Sequence, residues 1–77
     1  MTETLIDIYN RTYSNCVFYL DSNRRYELIN EIGCLRGIVY AIEAIVGTAN
    51  LYKLINCAEF HDMIDRCVEL LKGGDTN

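Results

Sequence analysis

The sequence predicts an all-α fold: a small antiparallel three-helix bundle that is homo-oligomeric. Three observations carry this. Apolar residues recur every three or four positions along three segments. Proline is absent from all 77 residues, of which 51% are hydrophobic and 23% charged. The stretch Gly37–Ala49 (GIVYAIEAIVGTA) holds one charged residue, Glu43, as expected of a central helix covered on most sides. A chain this short buries only about 60% of its unfolded surface. Small folds are usually stapled by disulfides, a metal or oligomerisation. Self-association or a partner is therefore expected to complete the cover.

The first helix is expected at about 4–20. Leu5, Tyr9, Tyr13, Cys16 and Leu20 form its stripe, with Ile6, Ile8 and Val17 beside them. Val17-Phe18-Tyr19 has strand propensity, which weakens the helical signal at that end. Asp21-Ser22-Asn23 supplies side-chain oxygens that can cap the next helix. That helix, at about 23–46, carries Leu28, Ile32, Leu35, Val39, Ile42 and Val46 at heptad spacing, a packed seam. Gly33, Gly37, Tyr40 and Ala44 lie on its other side, so both faces read as buried. Gly47-Thr48-Ala49-Asn50 ends it, because glycine accepts the left-handed backbone of a helix C-cap. The third helix is expected at about 50–72, with Cys57, Phe60, Ile64, Cys67 and Leu71 as its stripe. Asn56 with Glu59 three residues on resembles a capping box, so a short helical turn over Leu51–Ile55 can precede the main helix. Residues 73–77 read as a C-cap and frayed tail. The chain shows no repeat or linker, and 1–77 reads as a single helical domain.

The formal net charge is −4. A general affinity for nucleic-acid polymers or anionic membranes needs a basic surface, which this composition argues against. The acidic residues are scattered among arginines, so solubility explains them better than mimicry of nucleic acid. The four cysteines, at 16, 34, 57 and 67, are far apart and sit inside apolar patterns. The first residues are neither basic nor apolar, so no signal peptide is read there. A reducing, cytoplasmic setting is expected. Arg36 and Glu43 interrupt the best apolar run, so no membrane span is expected.

Gly33 and Gly37, with Ala41 and Ala44 on later turns, leave a shallow groove that lets another helix approach. Close packing within the subunit and contact between subunits both explain it; the residues are taken as candidate oligomer contacts. The cysteines lack the tight pairs of a zinc site, and they read as small core residues. His61 with Asp62, Asp65 and Cys57 within one turn suggests a catalytic or metal pair, but no third group or oxyanion hole follows. A solvated helix face explains them better, so no catalytic residue, metal or cofactor is expected. Arg24 and Arg25 open the second helix, where positive charge is unfavourable unless an anion docks on the free N–H groups. With Arg36, Tyr26 and Tyr40 they form the candidate ligand-binding set, suited to an anionic nucleotide. Six tyrosines are many for this length, and tyrosine suits surfaces that are dry at one end and wet at the other.

Laid out this way, the chain resembles small helical accessory proteins encoded by bacteriophages and prophages. The likeness lies in size, acidity, lack of proline and the stretch Arg25–Glu43 (RYELINEIGCLRGIVYAIE). The resemblance implies stoichiometric action in a bacterial cytoplasm: binding and inhibiting a host enzyme or defence factor, or sequestering a nucleotide immune signal. It carries no functional residue across. The expectation is a non-enzymatic binding protein that inhibits a host factor. A nucleotide sponge acting between subunits and a structural or regulatory homo-oligomer without ligand are the alternatives.

Overall fold

The computed structural model describes residues 2–75, with side chains from 3 to 72. The fold is all-α. Among the described residues there are four helices and no strand: α1 (Thr2–Asp21), α2 (Arg25–Val46), α3 (Thr48–Leu54) and α4 (Cys57–Asp75). The third predicted helix is thus two. Its first turn and a half forms α3, close to the short turn read before Asn56. The predicted tail is also shorter, because α4 runs on through Gly73 and Gly74 to Asp75. Thr76 and Asn77, the rest of that tail, lie outside the described residues.

The turn between α1 and α2 differs from its prediction. Asp21-Ser22-Asn23 does not cap α2, which starts at Arg25 with Arg24 as its N-cap and no side-chain capping bond. The cluster closes α1 instead. Asn23 takes the left-handed conformation, at φ 57°. Its N–H donates to the Leu20 carbonyl (3.3 Å) and the Arg24 N–H donates to the Tyr19 carbonyl (2.9 Å). This is a Schellman closure, in which the last carbonyls of a helix are satisfied from beyond its end. The Ser22 hydroxyl adds a 2.6 Å bond to the Phe18 carbonyl. Asparagine tolerates positive φ better than most residues, which lets the cluster serve the helix behind it.

One residue, Gly47, separates α2 from α3. Its N–H donates to the Glu43 carbonyl (2.8 Å), and its carbonyl accepts from the Leu51 N–H (3.0 Å). It is C-cap and N-cap at once, at φ 86°, ψ 161°. That backbone region is essentially closed to side chains with a Cβ, so glycine is needed here. α4 opens on the Asn56 side chain, whose Oδ1 accepts the Glu59 N–H at 3.1 Å. This is the helix-capping half of the predicted box.

α1 and α2 form a hairpin with the most extensive contact in the molecule. Across it the Asn15 amide donates to the Glu31 carboxylate at 3.2 Å. α4 returns beside both. Leu20 and Asp21 share a groove with Asp65, Arg66 and Glu69, while Tyr9 feels Glu59 and Cys57, so α1 and α4 run parallel. Tyr40 lies by Phe60 and Arg25 by Leu71, so α2 and α4 run antiparallel. The three long helices enclose Leu28, Leu35, Ile42, Cys16, Met63 and Cys67, all essentially inaccessible. The heptad seam of α2 is therefore the core. On α4 the predicted stripe holds at Cys57, Phe60 and Cys67, but Met63 is buried in place of Ile64, and Leu70 rather than Leu71 packs against the core. The Met63 thioether lies 3.7 Å from the Cys67 sulfur, and its flexibility suits an irregular gap.

Candidate functional site

The second face of α2 is open, which corrects the expectation that both faces are buried. Gly33, Gly37, Tyr40 and Ala44 are exposed, and Ala41 is half-buried. A Cβ placed on Gly33 or Gly37 would meet nothing within 4 Å. These glycines therefore serve no close packing inside the subunit. At about 100° per residue, Tyr26, Gly33, Gly37, Tyr40, Ala41 and Ala44 share one side of the helix. The side spans roughly 140° from Ile29 to Cys34 and contains no charged residue. Its charges stand on the borders: Arg25, Arg36 and Glu43 along one, Glu27 along the other. Tyr26 is 83% exposed and Tyr40 60%. A solvated helix face normally carries charge; this one does not.

The candidate ligand residues separate into places that share no cavity. Arg25 and Tyr26 line a shallow groove of about 300 Å³ with Ile29 and Leu71, between α2 and α4. Arg24 lies apart, with its guanidinium 5.6 Å from the centre of the Phe18 ring. That is cation–π distance. It follows from the tight α1–α2 turn, and no periodicity in the sequence announces it. Arg36 is exposed on α2. Tyr40 lines a different groove, of about 160 Å³, with Glu43, Tyr52, Phe60 and His61. Along the helix Tyr26 and Tyr40 are about 21 Å apart. A single chain therefore does not gather the five around one anion.

Sequence reasoning missed several exposed apolar side chains: Phe18, Ile29, Ile45, Tyr52, Leu54 and Val68. Ile29 and Ile45 lie outside the heptad seam, and that absence was the available signal. Tyr52 and Leu54 lie on α3, whose seven residues are too few to show a period.

Burial gives Cys16 and Cys67 a structural role. Cys16 and Cys67 are buried, Cys57 half-buried and Cys34 exposed, all as free thiols. Burial pushes the Cys16 thiol up to about 12, with Cys67 and Glu31 adding to it. Burial also raises the Cys67 thiol. A thiol held protonated is a poor nucleophile and a poor metal ligand. Burial, followed by the neighbouring Tyr13, takes the Tyr9 hydroxyl up to about 12. Among the described residues no three His, Cys, Asp or Glu side chains come together as a metal site would require. No helix there is long and apolar enough to cross a membrane.

Comparison with protein-family models, with curated proteins and with solved structures finds no match.

Proposed function

We propose that the chain is a non-enzymatic binding protein: a small antiparallel bundle of three long helices that assembles with itself and acts stoichiometrically. On this reading it is a phage-encoded accessory protein that binds and inhibits a host factor in the bacterial cytoplasm. The observation that supports it is the exposure of large apolar side chains on more than one helix without a cluster of arginines. The uncharged side of α2 offers one such surface. Tyr52, at 63% exposed, and Leu54 on α3 offer another, beside a shallow groove leading to His61. Exposed apolar patches on small proteins commonly mark protein contacts. Arginines dispersed over separate places favour a protein partner over a compact anion.

The test is native mass spectrometry of the purified protein, alone and with a nucleotide mixture that includes cyclic nucleotides. The expected result is a defined oligomer with no added mass, which then inhibits one host protein at a fixed molar ratio. A stable monomer would overturn the self-association. Retained nucleotide mass would overturn the protein-target reading in favour of a sponge. One observation favours that second reading: Arg25 and Tyr26 stand together over the apolar Ile29 and Leu71. A guanidinium, a phenol ring and an apolar floor suit a phosphate joined to a base.

A further inference from the structure

We infer that the occupant of the open α2 face is the α2 of a second copy, packed antiparallel about a two-fold axis at the level of Leu35. This deepens the self-association proposed above and rests on it. In an isologous contact each residue meets a partner placed symmetrically about the axis. With the axis at Leu35, Gly33 of one copy stands opposite Gly37 of the other. Tyr26 then stands opposite Ala44, and on the Arg36 side of the face Ile29 lies within one residue of the level of the other copy's Tyr40. Tyr26 meets a small residue, Ile29 and Tyr40 make an apolar contact across the seam, and the glycines meet at the crossing, where the backbones come closest. A parallel pairing would instead set Tyr26 on Tyr26 at the centre of the seam.

The charges agree with the antiparallel register. In antiparallel helix pairs each border faces the same border of the partner. Arg25 and Glu43, exposed and half-buried on one border, come within about one half-turn of each other across the contact. The two-fold axis makes two such pairs. Thr48 occupies one Glu43 oxygen at 3.1 Å, leaving the other for the guanidinium. A parallel pairing would set each border against the opposite one, Arg25 near Glu27, and would leave Glu43 without a charged partner on the second α2. Arg36 meets its own copy near the axis, at the rim, where water screens like charges. On the far border Glu27 meets no like charge of the second α2. The seam from Tyr26 to Ala44 is about 27 Å long. A contact along one helix of this length is at the small end of specific interfaces.

Cys34 gives the readout. It is exposed, and it lies one residue from the axis level on the border away from Arg25. The two copies of Cys34 are therefore within reach of each other. The experiment has three arms, each preceded by a melting curve to establish folding. Light scattering at tens of micromolar should give the dimer mass for the wild type and the monomer mass for Gly37→Leu. Diamide should link the wild type into a dimer but not Cys34→Ser. In the Cys34→Ser background, Tyr26→Cys and Ala44→Cys proteins should link when mixed, each giving at least tenfold less product alone. A wild-type dimer in which Ala44→Cys links to itself overturns the antiparallel register. A wild-type dimer that Gly37→Leu leaves intact overturns the α2 contact while self-association stands. A wild-type monomer overturns both.

Discussion

The two sides of α2 are both poor in charge, yet only one is covered. The seam of Leu28, Leu35, Val39 and Ile42 is buried against α1 and α4. The side with Tyr26, Gly33, Gly37 and Tyr40 faces solvent. The difference lies in shape. Branched side chains at heptad spacing fill the space between helices; glycines leave a furrow that no element of this chain enters. A missing charge shows that a face avoids water's partners. It does not say whether the cover comes from the same chain.

The predictions test that contrast, from the largest expected effect to the smallest. Leu35→Ala removes a wholly buried side chain and should cost about 2–5 kcal/mol, much of the stability of so small a fold. Thermal or urea unfolding checks it, and a loss below about 1 kcal/mol would mean that the seam is not the core.

Alkaline pH should loosen the covered side alone. Burial holds Cys16, ordinarily at 9.0, and Tyr9, ordinarily at 10.0, up to about 12. In the unfolded chain both ionise near their ordinary values, so as pH rises the unfolded state releases its protons first. Stability is then level below about pH 9 and falls progressively toward pH 12. Urea midpoints across that range should decline, and Cys16→Ala should make the decline shallower, with the Cys67 thiol and the Tyr9 hydroxyl still contributing to it. A midpoint independent of pH would place both groups in water.

Gly47→Ala should cost about 1–3 kcal/mol by forcing a Cβ into a backbone region that excludes it. The space around Gly47 is empty, so the whole loss would come from the backbone. Asn56→Ala should cost about 1 kcal/mol through the lost cap on Glu59. Gly33→Ala should act in the opposite direction. Its Cβ meets nothing within 4 Å, so helix propensity raises the stability of the isolated subunit by about 0.5–1 kcal/mol. A destabilised Gly33→Ala subunit would show that this face is packed after all.

Much of the fold was legible in spacing. The α2 seam, the α1 stripe and the Asn56 cap all follow from local pattern. On α4 the expected stripe holds at Cys57, Phe60 and Cys67, while Met63 and Leu70 take the core places expected of Ile64 and Leu71, because adjacent apolar residues both satisfy a helical period. Asp21-Ser22-Asn23 was read as a cap for the wrong helix, because its residue types suit a helix start as well as a helix end. The candidate ligand set was the least legible. Arg24, Arg25 and Arg36 are close in number, but the turn swings Arg24 onto Phe18, and Arg36 stands three turns, about 16 Å, along the same border of α2 from Arg25.

The sequence by itself determined the helical class, the buried side of α2 and the need for glycine at the α2–α3 junction. Periodicity, propensity and backbone sterics act within a few residues, so they can be read along the chain. Only the tertiary structure decided that Gly33 and Gly37 face open space, that Cys34 is exposed while Cys16 and Cys67 are sealed, and that the arginines do not converge. Those facts depend on where α1 and α4 lie against α2, and three helices leave one side of the middle helix uncovered.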